Sequence, residues 1–255
     1  MILNNSEYSG VLTNVRQEMR LLDDSGRIVG TAVVLDIDNT IGVCLPEYDI
    51  YKEIKNNPEH FPVKNYLFKI LMDGKWNSVV SRPHLVEFLD FCFSTFEFVC
   101  VYSAGAKIYV DEIVKTLFPK KPHVVLCWDD VVKSNNGKLY HKSLEVVLDR
   151  IKSSYDRILG INDLIIIDDR LGNVKTQPNN AIIIKPFEPK DLETVILDLN
   201  TDKHLLDVIT HLKSLIIIRL MRILGPARGF DIGKIYDEVM KFTEDFQNHP
   251  ELFVE

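Results

Sequence analysis

Two carboxylates two residues apart, Asp36 and Asp38, close the apolar run Val33-Val34-Leu35, and the small hydroxyl of Thr40 follows them. Extended backbone puts positions 36 and 38 on the same side of the chain. Two acids held close are costly to ionise together unless a cation or a shared proton relieves them. The chemistry that exploits such a pair is aspartyl phosphate formation: one carboxylate attacks phosphorus and the other shuttles the proton of the leaving group. The segment does not fit a calcium loop, because Thr40 stands fifth where DxDxDG needs an acid.

Three more groups fall at or beyond the ends of other apolar runs. Ser103, after Phe96–Tyr102, has backbone amides beside it at a helix start and can hold phosphate oxygens; a helix cap is its ordinary alternative role. Beyond the turn Ser134-Asn135-Asn136-Gly137 stand Lys138 and Lys142, either of which could neutralise phosphoryl charge or simply be solvated. Asp168-Asp169, after Leu164–Ile167, offers hard oxygen ligands suited to Mg²⁺, although an isolated acidic pair is usually only a turn.

These groups need a scaffold that brings strand ends together. Thr31–Leu35, Phe96–Tyr102, His123–Trp128, Leu164–Ile167 and Ala181–Ile184 are continuous apolar runs rather than alternating ones, as strands buried on both faces require. Helical patterns separate them. Leu85, Val86, Phe88, Leu89 and Cys92 form one, with Pro83 suited to its first turn; Tyr109, Ile113, Val114 and Leu117 form another, closed by Pro119; Ser143 to Ile151 forms a third. The fold class is therefore α/β, an open sheet with mainly parallel central strands and flanking helices. Ligand sites in such sheets lie beyond the carboxyl ends of the strands, where the groups above sit. Two β-like stretches between Phe61 and Val80 flank Asp73-Gly74, which predicts a small antiparallel insertion after the first strand. Asp202–Leu224 and Ile232–Phe246 read as helices separated by Gly225-Pro226. The stripe Ile232, Ile235, Tyr236, Val239 and Phe242 suits core packing or self-association of C-terminal helices.

Composition narrows the function. With 46% hydrophobic and 26% charged residues the chain is neither disordered nor collagen-like, and a net charge of −7 argues against a general nucleic-acid binder. Cys44, Cys92, Cys100 and Cys127 show no CxxC pair, no zinc spacing and no CxxxxxR loop, so free thiols in a reducing compartment are expected. Leu215–Leu224 is too short to span a membrane and is broken by Arg219 and Arg222, and polar residues interrupt the first segment where a secretory signal would lie. An intracellular protein, cytoplasmic or nuclear, is expected.

The residue groups, in this order, resemble the haloacid dehalogenase (HAD) superfamily, and within it the FCP/SCP-type phosphatases of the RNA polymerase II C-terminal domain. Asp36-Ile37-Asp38-Asn39-Thr40 is similar to DxDxT. Ser81-Arg82-Pro83-His84-Leu85-Val86-Glu87-Phe88-Leu89 resembles the helix start RPG-x-x-x-FL. Tyr102-Ser103-Ala104-Gly105 resembles YTMG, Lys142-Ser143-Leu144 resembles KSL, Ile167-Asp168-Asp169-Arg170 resembles IDDR, and Pro178-Asn179-Asn180-Ala181-Ile182 resembles the PxN-x-I that follows. The chain departs from the pattern at Ile41-Gly42, where the family has Leu, and at Leu171-Gly172-Asn173-Val174, where the FCP branch has an acid and a tryptophan.

The resemblance implies an HAD-like domain over residues 1–224, with the β insertion at about 43–80, and a helical extension over 225–255. It implies catalytic Asp36 (nucleophile), Asp38 (general acid/base), Ser103 and Lys142, with Thr40, Ser103, Gly105 and Lys142 binding substrate. Mg²⁺ would be held by Asp36, Asp169 and the backbone carbonyl of Asp38, and Asp168 would support the site by pairing with Lys142. The implied substrate is a phosphorylated polypeptide, the serine-phosphorylated polymerase tail, with neither nucleic acid nor membrane as a direct partner. A metabolite or nucleic-acid-end phosphatase of HAD type, or an inactive binding module of the same fold, are the alternatives.

Overall fold

The computed structural model describes residues 22–45, 50–56, 58–133 and 140–224. The chain divides into two units, Met1–Leu205 and Leu206–Glu255. The first holds a five-stranded parallel sheet made of β1 (Ile28–Leu35), β5 (Phe96–Tyr102), β6 (Val124–Leu126), β9 (Leu164–Asp168) and β10 (Ala181–Ile183), in the order β10-β9-β1-β5-β6. β1 is central. It pairs in parallel with β5 on one side and β9 on the other, and Ala32, Val33, Val34 and Leu35 are wholly buried. A strand covered on both faces has no position for a polar residue, which is why these runs read as continuous rather than alternating.

Alternate residues build one core layer. Ala32 and Val34 of β1, Phe98, Cys100 and Tyr102 of β5, and Leu164 and Ile166 of β9 cluster with Leu144, Val147 and Ile151 of α4 (Leu144–Tyr155). Ser143 caps α4, its hydroxyl accepting the Glu145 amide at 3.3 Å. α3 (Lys107–Leu117) buries Val110, Ile113 and Leu117 and stops just before Pro119. Between β1 and α2 (Leu85–Thr95) lies the expected antiparallel insertion, a sheet in the order β2-β4-β3 formed by β2 (Gly42–Leu45), β3 (Leu67–Met72) and β4 (Lys75–Ser81), with Asp73-Gly74 at the β3–β4 turn.

Three expectations need correction. Pro83 precedes α2 instead of opening it, because His84 takes a left-handed conformation (φ 63°) that breaks the helical path before Leu85. The first β-like stretch of the insertion begins at Leu67, since Pro58–Tyr66 is wound as 3-10 helix. The third run keeps only three strand residues, and Trp128–Asp130 turn into a 3-10 segment.

Elements with a weaker sequence signal complete the unit. They are α1 (Ile50–Asn56), the two-residue strands β7 (Val132–Lys133) and β8 (Tyr140–His141), the single turn α5 (Leu171–Val174) and α6 (Leu192–Thr201). Ile50 and Ile54 of α1, Leu67, Val80, Phe187 and Leu192 and Val195 of α6 form a second core that ties the insertion to the main body. The last described element is α7 (His204–Leu224), a continuous helix. The turn 134–137 with Lys138, the expected extension 225–255 and its Ile232–Phe242 stripe lie outside the described residues. Among the described residues no helix is long and apolar enough to cross a membrane, and all four cysteines are free.

Candidate active site

The carboxyl ends of β1, β5 and β9 converge, and the loop after β1 is fixed by its own backbone. Ile37 accepts the amides of Thr40 (3.2 Å) and Ile41 (3.0 Å), and the Asn39 amide donates to Gly42 at 2.9 Å. Asn39 takes the left-handed conformation the turn requires (φ 62°), which Asn tolerates better than branched residues. Arg82, wholly buried after β4, braces this loop from behind. Its guanidinium donates to the carbonyls of Asn39 (3.3 Å), Thr40 (3.1 Å) and Lys185 (2.8 Å) and pairs with Asp202 at 2.9 Å.

Asp36 is buried at the head of this loop. One carboxylate oxygen accepts the Thr40 hydroxyl at 3.1 Å and the other the Lys142 ammonium. Lys142, itself fully buried, also donates to Asp168 at 2.7 Å, so its charge is shared between two acids. Its backbone is pinned as well, the amide donating to Asn173 at 2.8 Å and the carbonyl accepting Gln177 at 2.5 Å. Asp168 is held on both oxygens, because the second accepts the Asn173 side-chain amide (2.9 Å) and the Arg170 backbone amide (2.8 Å).

Asp38 sits apart from this group. One of its oxygens accepts the Tyr109 hydroxyl at 2.5 Å, and the other lies 3.5 Å from the Ser103 hydroxyl. Ser103 caps no helix; its oxygen accepts the Gly105 amide at 2.9 Å and tightens the turn leading to α3. Gly105 has a steric reason to be glycine, since a Cβ there would meet the Tyr109 ring at 2.6 Å.

The electrostatics show an excess of carboxylate. Burial pushes Asp36 up to about 7, with Lys142 opposing and Asp168 reinforcing the rise. Burial also raises Asp38, against the hydrogen bond from Tyr109, and raises Asp169, with Asp168 adding to the effect and Arg170 opposing. Burial alone would lower Lys142, but Asp36 and Asp168 outweigh it and hold the ammonium charged. Carboxylate oxygens of Asp36, Asp168 and Asp169 lie within 4.8 Å of one another. Hard, anionic oxygen donors with surplus negative charge fit a divalent cation such as Mg²⁺. Asp168 takes three donors and Asp36 takes Lys142 and Thr40, one on each oxygen. Among the described residues Asp169 faces only the Arg170 guanidinium, at 3.6 Å, so a cation in the cluster would share Asp36 with the donors already there and find Asp169 the least engaged of the three. The Asp38 carboxylate lies outside the cluster, so any part it takes there belongs to its backbone carbonyl.

The structure thus brings together Asp36, Asp38, Thr40, Ser103, Gly105, Lys142, Asp168 and Asp169. Thr40 orients Asp36 from a wholly buried position. Four contributors escaped the sequence reading: Arg82, Tyr109, Asn173 and Gln177. Tyr109 was masked by its own periodicity, since it falls on the apolar stripe of α3 and only its hydroxyl serves the site.

The sequence model described as NLI interacting factor-like phosphatase matches residues 31–221. A CTD phosphatase-like protein, 355R, of Invertebrate iridescent virus 3 is 27% identical over 164 residues, covering 61% of this chain and 83% of that protein. The structure of Fcp1, an essential RNA polymerase II CTD phosphatase, superposes with a TM-score of 0.57 at 18% identity, over 89% of this chain and 72% of the chain in that structure. At that identity the likeness speaks for the fold.

Proposed function

From the premise that this chain belongs to the NLI interacting factor-like phosphatase family, we propose that it hydrolyses phosphoserine in polypeptides through a phosphorylated Asp36. Family membership makes it a phosphoprotein phosphatase; the intermediate, the residue roles and the substrate are the proposal. The observation that carries it is the contrast between two acids two residues apart: Asp36 held by Lys142 and Thr40, Asp38 held separately by Tyr109 and Ser103.

In the first step an Asp36 oxygen attacks phosphorus and the bond from phosphorus to the serine oxygen breaks. Protonated Asp38 gives its proton to that leaving oxygen. In the second step a water oxygen attacks the aspartyl phosphate, Asp38 takes the proton from water, and phosphate leaves with Asp36 restored. Lys142 neutralises charge on the transferred group and the Ser103 hydroxyl holds one of its oxygens, while the Gly105 amide, bonded to the Ser103 oxygen at 2.9 Å, keeps that hydroxyl in place rather than binding phosphate itself. Thr40 fixes the rotamer of Asp36. Mg²⁺, held by Asp36, Asp169 and the Asp38 carbonyl, would supply further neutralisation of phosphoryl charge.

The insertion beside the site, with a three-stranded sheet and one short helix, is small for a cap that must enclose a metabolite. That favours a macromolecular substrate; 355R is named as CTD phosphatase-like and Fcp1 as an RNA polymerase II CTD phosphatase, which points to the polymerase tail. The test is release of phosphate from a diphosphorylated heptad peptide compared with sugar phosphates, with and without Mg²⁺. The peptide is expected to be preferred, and turnover to need the metal. Preference for the sugar phosphates would overturn the substrate assignment.

A further inference from the structure

Away from the carboxylates, a groove of about 610 Å³ runs along one edge of the parallel sheet. Its floor includes Val124 and Val125 of β6, the outermost strand, which among the described residues pairs only with β5. α3, α4 and the connection 118–123 form its walls. The lining is basic: Lys107, Lys115, Lys120, Lys121 and Arg150 stand against one acid, Asp111, in a chain whose net charge is −7. Three of these cations have surface partners, Lys107 with Asp111 at 2.9 Å, Lys115 with Glu112 at 3.4 Å and Arg150 with Asp130 at 3.0 Å. Exposed pairs of this kind are weak and exchange partners readily. Lys120 and Lys121 are exposed and enter no ion pair among the described residues.

The groove is placed to serve the catalytic end of the sheet. Lys107 opens α3 two residues after Gly105, so the upper end of the groove adjoins the Ser103–Gly105 turn. From there α3 runs roughly 16 Å towards Lys120 and Lys121, which about five residues of extended chain would cover. An unpaired edge strand offers main-chain groups to an extended peptide, and the cations offer partners for its acids.

We infer that this groove docks an acidic, extended polypeptide segment flanking the phosphoserine of the substrate. The inference rests on the protein-phosphatase reading above and adds the charge of the substrate around the phosphosite. A nucleic acid would meet the same cations, but its continuous backbone charge would be repelled by the rest of an acidic protein.

The experiment uses the full chain and two peptides of equal length, each with one central phosphoserine, flanked on both sides by Glu in one and by Gln in the other. At low salt the Glu peptide is expected to show a KM lower by roughly tenfold, as modest gains at several cations sum to that ratio. Lys120→Glu/Lys121→Glu, or high salt, should erase the difference while leaving kcat and p-nitrophenyl phosphate turnover unchanged. Lys120→Gln/Lys121→Gln should act in the same direction with a smaller effect. Equal KM values in the unmodified protein, or a difference that survives the double reversal, would overturn the docking site. Anisotropy of a fluorescent Glu peptide lacking phosphate reads the groove without turnover. If neither phosphopeptide is hydrolysed, the phosphatase reading fails while the groove is still scored. Binding of an oligonucleotide through Lys120 and Lys121 in preference to the peptide would also overturn it.

Discussion

Asp36 and Asp38 share a loop and a residue type, yet their hydrogen-bond partners differ, and the proposed mechanism gives them different work. In the proposed mechanism Lys142 and Thr40 fix Asp36 for attack, Lys142 opposing the rise that burial imposes on its carboxyl, whereas the Tyr109 hydroxyl holds Asp38 where it would pass a proton. Asp36→Asn is expected to abolish hydrolysis of p-nitrophenyl phosphate with an unchanged circular dichroism spectrum; retained turnover would refute the nucleophile. Asp38→Asn carries a subtler signature. A phenolate leaving group departs without a proton and a serine alkoxide does not, so phosphoserine turnover should collapse while single-turnover phosphorylation by p-nitrophenyl phosphate survives in part. Tyr109→Phe should lower kcat on phosphoserine peptides by roughly tenfold or more, the order of one hydrogen bond to a charged group, with little change in KM. A change in KM alone would place Tyr109 in binding instead.

The elements explain why these side chains meet. Parallel strands buried on both faces bring Asp36, Ser103 and Asp168 to one end of the sheet, and their continuous apolar runs make that architecture legible in the sequence. The acids and the serine were legible for the same reason, since each ends such a run. Lys142 was not separable from Lys138 by spacing, and needed the likeness to KSL. Arg82, Asn173 and Gln177 were illegible because their roles are tertiary: a buried guanidinium reaching three carbonyls and Asp202 across 120 residues leaves no local pattern. α1 and α6 were missed because they are short and packed on the insertion, and packing rather than periodicity stabilises them.

The brace also sets an acid limit. Burial alone would raise Asp202, but hydrogen bonding from His204 and the Arg82 charge outweigh it and hold the carboxyl at about 2, against 3.8 when unconstrained. A depressed folded value stabilises the protein above 3.8, and that contribution is lost as pH falls from there through about 2. Asp202→Asn, which strands a buried Arg82, is expected to cost on the order of 3 kcal/mol at neutral pH. It should also flatten the fall in stability across that acid window, as read by denaturant melts at several pH values. An undiminished slope would mean that other carboxylates govern the acid limit.

For the molecule as a whole, a net charge of −7 and an anionic substrate are reconciled locally. Lys142 stands against Asp36, where the proposed mechanism places the phosphoryl group, and a basic groove lies along the sheet edge. Chelation of divalent metal is expected to stop turnover without unfolding the protein, because Lys142 already draws Asp36 and Asp168 together; Mg²⁺ should restore activity. Loss of the fold on chelation would make the metal structural. The most direct measurement is acid quenching during turnover of a phosphoserine peptide, borohydride reduction of any acyl phosphate, and mass spectrometry of the digest. The expected result is the reduced product at Asp36, present within the first turnover and absent from Asp36→Asn. An unmodified Asp36 with turnover in progress, or phosphate on another side chain, would contradict covalent catalysis by this residue.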